Sequence, residues 1–443
     1  MAKHKKIQDF DLKYALLRNY VDSSLRRSYR HIRYSGKERI PQEGAVIYAP
    51  NHTNALMDAL VVLAMDRKAK VFVARADIFK NRTLAKIFTF LKIMPIMRLR
   101  DGIDEVKKNN KTIEKSVDVL KDKVPFCIFP EGQHQAKYSM QMLSKGIFRI
   151  AFQAQALMPD VPLYIVPVGL LYGNFFRFRS TVHVQVGEPI NVGEFLAEHE
   201  EECAQEQMTA MRTILAERMK STTLYLPNDE NYDAACEICA AAVGEQTEVV
   251  KSEQGRLDGL DAKYEANKRT AKYIEQLKES EPEKAERLFA LGNKAYKIRM
   301  GKKISLASVV AKRPVVSRMM GLLLVLLLTL PYCVAMSILS FPIYALSHLV
   351  CQKLIKDPAF RNSVRYVLKL VLWPLLMIVY TIVGFVTRPW QWALLAALVT
   401  LPAPAVAQDV WRLLRVTVSD IKLLANGKLR DIYKEIREIM FNK

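Results

Sequence analysis

The sequence predicts an α/β domain, followed by a helical spacer and a C-terminal helical membrane region. Short apolar runs typical of strands alternate with helical patterns through the first half of the chain. Later, residues 319–352 form a run of 34 residues without Lys, Arg, Asp or Glu, whereas about 20 residues suffice to cross a bilayer. With 443 residues, 50% of them apolar and 25% charged, the chain is not a wholly disordered protein.

The net charge indicates which class of partner the chain binds, and the cysteine content indicates in which compartment it is located. The 66 Lys and Arg residues exceed the 45 Asp and Glu residues, and the formal charge of +21 indicates an anionic partner, either membrane or nucleic acid. The apolar runs favour membrane lipids, so we expect no nucleic-acid partner. Six scattered cysteines fit a reducing cytosolic face, and the pair Cys236 and Cys239 lacks the second pair typical of a metal site.

Residues 1–30 predict a basic amphipathic N-terminal helix. Its apolar residues at helical spacing are Phe10, Tyr14, Leu17, Tyr20 and Val21. Such a helix either lies on anionic headgroups or packs on the neighbouring domain, and the sequence favours neither arrangement. The N-terminus leads into polar residues, so no secretory signal is expected.

Residues 31–225 carry the alternation of the α/β domain. Helical patterns occupy Thr83–Leu91 and Ile103–Leu120. The strand-like runs are Ala45–Ala49, Val71–Ala74, Phe126–Phe129, Tyr164–Val168 and Val182–Val186. A break at Leu226-Pro227-Asn228-Asp229 ends the domain, and residues 226–311 then predict a charged spacer of two or three solvated helices.

Residues 312–407 predict the membrane region. Pro331 and Pro342 interrupt the run at 319–352, which is either a hairpin that enters and leaves on one side or one long broken helix. Further spans are expected at 366–387 and 390–407. The distribution of Lys and Arg favours the hairpin, with the N-terminal half and an amphipathic helix at 408–443 both in the cytosol. The chain is thus expected to be an integral, multi-pass membrane protein.

The segment His52-Thr53-Asn54-Ala55-Leu56-Met57-Asp58 follows a strand-like run. A neutral imidazole suits removal of a proton from a hydroxyl, and a carboxylate bonded to the other ring nitrogen fixes the tautomer. Six positions along one helix turn the chain by about 600°, which would place the two side chains on different faces. We therefore expect His52 in a turn at the helix start and Asp58 one turn inside. Taken alone, the spacing also fits a capping turn with an incidental histidine.

Three further motifs follow in order: Pro95-Ile96-Met97-Arg98-Leu99-Arg100-Asp101-Gly102, Phe129-Pro130-Glu131-Gly132 and Val166-Pro167-Val168-Gly169-Leu170-Leu171-Tyr172-Gly173. Together the four motifs resemble the glycerophosphate acyltransferase family. The five residues between His52 and Asp58 are most similar to the fungal-type glycerol-3-phosphate and dihydroxyacetone-phosphate acyltransferases. The resemblance covers about residues 40–195 and implies that family's mixed sheet flanked by helices.

The resemblance implies roles for the residues of the first two motifs. His52 is the catalytic base, and Asp58 orients it. Asn54 borders N–H groups that could attract a phosphate or an oxyanion. Arg98 occupies the position of the family's arginine for glycerol phosphate, with Arg100 as a nearby substitute.

The third motif implies contacts to the acceptor. Glu131 is expected to hold the acceptor's free hydroxyl or the phosphate-binding residues, and Gly132 to let the backbone approach closely. Gln133 and His134 replace the family's Thr and Arg. One phosphate contact is therefore missing unless His134 or Lys137 supplies it.

Two further substrate-binding candidates complete the implied site. Lys145 lies in a Ser-Lys-Gly segment that resembles the family's F-K-x-G, and Pro167 would help shape the acyl pocket.

The resemblance implies a membrane-bound enzyme of phospholipid biosynthesis that moves a fatty acyl group from acyl-CoA or acyl carrier protein to glycerol-3-phosphate. The thioester is a co-substrate, and no cofactor or metal is expected. Lysophosphatidate and dihydroxyacetone phosphate are alternative acceptors, and the bacterial inner membrane and the endoplasmic reticulum both fit. Two rivals remain: a non-catalytic membrane scaffold, and a metal-dependent phosphohydrolase with His52 and Asp58 as ligands, for which further ligands are missing.

Overall fold

The computed structural model describes residues 6–96, 109–255, 257–310 and 315–441. The chain forms two compact units. We call Met1–Arg26, Ile32–Phe176 and Thr181–Thr223 the sheet unit, and Arg27–His31, Arg177–Ser180 and Leu224–Lys443 the helical unit.

The sheet unit is built on one mixed sheet, in which eight strands are described. They are β1 (His31–Ser35), β2 (Ala45–Pro50), β3 (Val71–Arg75), β4 (Ile93–Ile96), β5 (Phe126–Cys127), β6 (Leu163–Tyr172), β7 (Thr181–Val186) and β8 (Ile190–Asn191). Their order is β1-β7-β6-β2-β5-β3-β4, and β8 pairs with β6. The neighbours from β6 to β4 are parallel, whereas β7 and β8 run antiparallel to β6. The carboxyl ends of the parallel strands share one edge, where ligands bind in open α/β sheets.

Helices flank this sheet and cover its core. They are α1 (Leu12–Ser28), α2 (Leu56–Leu63), α3 (Arg82–Phe90), α4 (Asn109–Lys121), α5 (Gly146–Leu157), α6 (Val192–Glu198) and α7 (Ala204–Thr222). All six residues of β2 are buried, as expected for a central parallel strand covered on both faces. Ile147, Phe148 and Ala151 place the buried face of α5 in the same core.

The N-terminal helix α1 is packed on one side and exposes apolar side chains near its start. The buried guanidinium of Arg18 donates to carbonyl oxygens at the end of α2, those of Leu63, Asp66 and Arg67. The bond to Leu63 satisfies a carbonyl that the last turn of α2 leaves unpaired, and the other two hold the segment that follows this helix. The apolar side chains that stay exposed on this segment are Phe10, Leu12 and Leu16. Binding of this side to a membrane surface stays a prediction.

The predicted fold class, a mixed sheet flanked by helices, is confirmed. All five strand-like runs are strands, although β5 ends at Cys127 and β6 continues to Tyr172. The strands β1, β4 and β8 were outside the expected set because they are short and carry polar residues or proline, which obscure the strand pattern. The predicted start of the second helix, at Ile103, lies outside the described residues.

Close packing between β6 and α7 depends on Gly169. A Cβ built on this glycine would lie 1.9 Å from the carbonyl oxygen of Thr222, the last residue of α7. That atom is backbone, so it cannot move aside as a flexible side chain would. The glycine thus allows the end of α7 to lie directly on the sheet.

The helical unit contains a bundle where the sequence predicts a solvated spacer. Its helices are α8 (Tyr232–Gln254), α9 (Gly259–Ser280), α10 (Pro282–Gly301), α11 (Leu306–Val309) and, at the C-terminus, α16 (Gly427–Phe441). The buried carboxylate of Glu237 accepts from Arg299 Nε at 2.5 Å and from the Tyr433 hydroxyl at 2.6 Å. The Ala-rich pattern of α8 is a packed face, so the expectation of solvated helices is wrong.

Long apolar helices form the rest of this unit: α12 (Val315–Leu354), α13 (Pro358–Thr387), α14 (Trp390–Thr400) and α15 (Ala403–Leu424). Two helices of the described chain, α12 from Met319 and α13, are long and apolar enough to cross a membrane. The pair α14 and α15, bent by 42°, would be a third span if the two act as one.

The expected hairpin at 319–352 is wrong, because α12 is one helix of 40 residues that runs through Pro331 and Pro342. Each proline removes one backbone N–H, which an apolar helix accommodates locally, whereas a reversal would expose several polar backbone groups. Between the two prolines the chain has no Gly, Asn or Asp to form a turn. At 1.5 Å per residue the helix is about 60 Å long, twice the roughly 30 Å hydrocarbon layer.

We predict that Gly169→Ala lowers the free energy of unfolding by about 1–3 kcal/mol or more, because the added methyl group overlaps the backbone of Thr222. Thermal unfolding of the full-length protein in detergent measures the effect. Gly193→Ala is the matched control, since its Cβ would meet Asn191 and Gln155 at an ordinary 3.5 Å. Equal unfolding midpoints for the two variants would contradict the prediction.

Candidate active site

His52 and Asp58 meet at the carboxyl end of β2. β2 ends at Pro50 and α2 begins at Leu56, so His52 lies in the connecting turn and Asp58 in the first helical turn. The His52 Nδ1 atom is 2.8 Å from Asp58 Oδ2. Because a carboxylate only accepts, Nδ1 carries the proton and Nε2 keeps a lone pair. The His52 side chain is 17% exposed, whereas Asp58 is fully buried.

The Asp58 carboxylate is held by three further donors. Its Oδ2 accepts the backbone N–H groups of Thr53 at 2.7 Å and Asn54 at 2.6 Å. Its Oδ1 accepts the hydroxyl of Tyr172, the last residue of β6, at 2.7 Å. A buried charge is tolerated only when it is hydrogen-bonded in this way. Asp58 therefore acts as a fixed acceptor that orients the imidazole.

One backbone feature and one side chain place this turn. Ala55 has a φ of 46°, a conformation that L-residues rarely adopt, directly before α2. The Asn51 side chain continues the pairing of β2 with β6: its Nδ2 donates to the Leu170 carbonyl at 3.2 Å, and its Oδ1 accepts the Leu170 N–H at 2.6 Å. The turn is thus fastened to β6 before the chain enters α2.

Glu131 joins the first motif to the third. Its Oε1 accepts the backbone N–H of His52 at 3.0 Å, and its Oε2 accepts that of Gln141 at 3.1 Å. Burial raises the pKa of Glu131 to about 7, against the lowering effect of these two donors and of the His52 ring. Glu131 is largely buried, so in this arrangement it supports the loop that carries His52.

Two aromatic rings, those of Phe129 and His134, lie next to the His52 imidazole. The Phe129 ring is stacked on the His52 ring with centroids 4.2 Å apart. The His134 ring lies edge-on to His52, with centroids 5.6 Å apart. A second, half-buried imidazole therefore stands next to the first, at the position where the resemblance expects an arginine.

Asn54 is placed differently from the sequence expectation. It is fully buried, and its side-chain amide donates to the carbonyl oxygen of Phe175. The N–H groups of Thr53 and Asn54, expected to attract a phosphate or an oxyanion, both donate to Asp58 instead. The expectation of free N–H groups in this turn is wrong, because the nearest anion is the protein's own carboxylate.

Three other predicted substrate-binding residues are described by the structure: Gly132, Lys145 and Pro167. Gly132 has a φ of 68° and open space at its Cβ position, so its backbone conformation requires glycine. Lys145 is exposed at the start of α5, and its Nζ donates to Gln205 Oε1 at 3.0 Å. Pro167 is buried within β6, where its ring borders Gly187.

Arg98 and Arg100 lie outside the described residues. β4, the strand before them, ends at Ile96 and is parallel to β3. Their predicted contacts with a phosphate stay predictions.

Sequence reasoning missed the part played by Tyr172. Tyr172 belongs to the fourth motif. The sequence predicts that motif as a buried strand, in which an aliphatic residue would fit equally well. A tyrosine at the buried end of such a strand is the available signal, because its hydroxyl needs a hydrogen-bond partner. Phe129 and Asn51 were likewise visible in the sequence, but their contacts depend on strand register.

Across the described residues, no three His, Cys, Asp or Glu side chains cluster in a way that could hold a metal ion. Both Asp58 oxygens accept hydrogen bonds from protein donors. Cys236 and Cys239 lie within α8, and burial raises the pKa of both thiols, that of Cys236 to about 12, which disfavours the thiolate.

Residues 31–171 match a family model described as Acyltransferase. The chain is 29% identical over 133 residues to glycerol-3-phosphate O-acyltransferase 2 of Saccharomyces cerevisiae, which covers 30% of this chain and 18% of that protein. It is 28% identical over 99 residues to glycerol-3-phosphate O-acyltransferase 1 of the same yeast, covering 22% and 13%. The chain thus spans less than a fifth of the length of these relatives.

Among solved structures, the chain is similar to the 1-acyl-sn-glycerophosphate (LPA) acyltransferase PlsC from Thermotoga maritima. The sequence identity is 18% and the TM-score 0.34, over 47% of this chain and 80% of that chain.

We predict that Glu131 makes stability depend on pH. Its native pKa is about 7 and its ordinary value 4.5, so between these values the native state binds more protons than the unfolded state. The stabilising contribution of this group is complete below pH 4.5 and is lost as the pH rises through 7, a loss of roughly 3 kcal/mol. Thermal unfolding between pH 5 and 8 measures it.

The comparison is with Glu131→Gln, which cannot titrate. The unfolding midpoint of the unaltered protein should fall relative to that of this variant as the pH rises. Glu194→Gln, at an exposed position, should give no such relative change. Parallel curves for the unaltered protein and Glu131→Gln would show that the raised pKa is wrong.

Proposed function

Residues 31–171 form an acyltransferase-family domain, and we propose that it transfers a fatty acyl group from an acyl thioester to a hydroxyl of glycerol-3-phosphate. The donor would be acyl-CoA or acyl carrier protein. The product of such a transfer is an intermediate of phospholipid biosynthesis.

The observation that carries this proposal is the pairing of His52 with Asp58 at the sheet edge. Nδ1 is occupied by the carboxylate at 2.8 Å, and Nε2 has no hydrogen-bond partner among the described residues. That nitrogen can take the proton from the acceptor hydroxyl while the oxygen attacks the thioester carbonyl. Asp58 stabilises the imidazolium that forms, and the proton then passes to the departing thiolate. The acyl group ends on the acceptor oxygen, and the thiol is released.

We assign binding of the acceptor's phosphate to basic residues of the second and third motifs. We propose Arg98, with Arg100 as a neighbour, because a guanidinium fork matches phosphate oxygens. His134 is proposed as a further contact, since its ring is adjacent to that of His52. Glu131 contributes by holding the backbone of His52 in place.

Glycerol-3-phosphate is preferred as the acceptor because two relatives carry that name, although they match over short stretches only. Lysophosphatidate is the alternative. The helices α12 and α13 support a membrane-bound protein, and a cytosolic position of the sheet unit would give it access to water-soluble thioesters and glycerol phosphate.

We predict that His52→Ala and Asp58→Asn each lower kcat by about 10²–10⁴-fold, the usual contribution of a general base. Asp58→Asn should fold, because its amide oxygen can still accept from His52 while its NH₂ group donates to the Tyr172 hydroxyl. Acyl transfer from acyl-CoA by the purified protein measures the effect, and thermal unfolding checks the fold.

His31→Ala and Asp229→Asn are the matched controls, at exposed side chains with 52% and 41% accessibility. They should leave kcat unchanged. Full activity of His52→Ala would exclude the proposed base and favour the alternative of a non-catalytic membrane scaffold.

Competition between glycerol-3-phosphate and lysophosphatidate identifies the preferred acceptor. We expect radiolabelled glycerol-3-phosphate to be acylated with a higher kcat/KM than lysophosphatidate, and Arg98→Ala mainly to raise KM for the phosphorylated acceptor. Preference for lysophosphatidate would establish the alternative. An unchanged KM in Arg98→Ala would exclude its phosphate contact.

A further inference from the structure

A cluster of basic residues lies within the helical unit, in segments 27–30 and 177–179 and in α13 and α15. Arg179 donates from Nε and Nη2 to the Asp409 carboxylate of α15, at 3.0 and 2.7 Å. Its Nη1 donates to the carbonyl oxygens of Arg27 and Tyr29, at 3.1 and 3.2 Å. The Arg179 backbone has a φ of 58°, and its N–H donates to Ser28. This residue ties segments 27–31 and 177–180 to α15.

Positive charges accumulate around this junction. The basic residues are Arg27, Arg30, Arg177, Arg179, Lys369, Arg412 and Arg415. Asp409 pairs with Arg179 and, at 3.8 Å, with Arg412. The other five basic side chains have no carboxylate partner within the residues that the structure describes. Six arginine guanidinium groups thus share one carboxylate in this cluster, which leaves a positive potential.

Lys369 is half-buried among these arginines and has no carboxylate partner within the described residues. It lies in α13, about three helical turns from the start of a candidate membrane span. Its ammonium group donates to the Ser28 hydroxyl and lies 4.9 Å from the Phe178 ring and 5.6 Å from the Tyr366 ring. These neutral groups solvate an ammonium but do not neutralise it, and the positive charges of Arg27 and Arg179 are close enough to repel it.

Apolar side chains border the same cations. Trp411 is 59% exposed in α15, and the Arg415 guanidinium lies 5.4 Å from the centre of its ring. Val367 and Val371 of α13, on the side of that helix away from Lys369, are 41% and 53% exposed. A ligand that fits must therefore combine an anionic head with apolar chains. Guanidinium groups favour phosphate, with which they form paired hydrogen bonds.

We propose that this cluster binds the phosphate of an anionic membrane phospholipid, held at the interface by the exposed side chains of Arg30, Arg177 and Arg415. The lipid supplies the negative charge that Asp409 alone cannot, and its acyl chains cover the apolar flanks of α13 and α15. A free phosphate would offer the same anion without the apolar chains.

The test titrates the full-length protein in detergent with a fluorescent phosphatidylglycerol, and with a phosphatidylcholine that carries the same fluorophore. The triple variant Arg30→Gln, Arg177→Gln, Arg415→Gln should weaken phosphatidylglycerol binding about tenfold or more and leave phosphatidylcholine binding unchanged. The control Lys428→Gln, Arg430→Gln, Lys434→Gln removes the same charge from exposed positions of α16. It should change the affinity by less than about twofold.

Three outcomes would overturn the proposal: unaltered affinity in the cluster variant, an equal loss in the control, or displacement of phosphatidylglycerol by millimolar inorganic phosphate. The last result would assign the cluster to a soluble phosphate. Phosphatidylglycerol is neither substrate nor product of the proposed transfer, so the result does not depend on whether the protein is active.

Discussion

The buried carboxylate of Asp58 is the group on which the candidate active site depends. A charge with no exposure to water is stable only if donors surround it, and four donors do so: the His52 ring, two backbone N–H groups and the Tyr172 hydroxyl. Those donors come from one turn and from the end of β6. The backbone of Ala55, at a φ of 46°, carries a cost of about 1–3 kcal/mol that this arrangement offsets.

A second buried carboxylate stabilises the same loop from the other side. Glu131 accepts the N–H of His52 and that of Gln141, so the backbone of the base is fixed by the third motif while its ring is fixed by the first. The two carboxylates differ in their donors. Asp58 has four, whereas Glu131 has two for a buried group, and burial raises its pKa to about 7. Rigidity of the imidazole therefore rests on groups from β2, β5 and β6 together.

The sequence was sufficient for the fold class and for the pairing of His52 with Asp58, because both follow from local patterns and the ordered motifs. It was insufficient for Tyr172 and Glu131. Their contacts depend on which strands are neighbours and on strand register, which a single sequence does not specify. The hairpin at 319–352 failed for a different reason. The Lys and Arg residues on both sides of the run favoured it, whereas an apolar helix without turn residues continues through a proline, which only removes one hydrogen bond.

The helical unit contains one buried carboxylate with donors from its own chain and one group of cations with too few carboxylates. The difference between them bears on what this unit binds. Glu237 is fully buried, and Arg299 and Tyr433 supply its donors within the chain. Burial raises the pKa of Glu237, and the charge of Arg299 opposes that effect. This carboxylate therefore needs no hydrogen-bond donor from a ligand. Around Lys369 the balance is reversed, since cations outnumber the single carboxylate of Asp409 on helices with apolar surfaces. A chain that satisfies its own anion in the bundle, and leaves cations beside a candidate membrane span, is suited to take the missing negative charge from the anionic lipid that we propose.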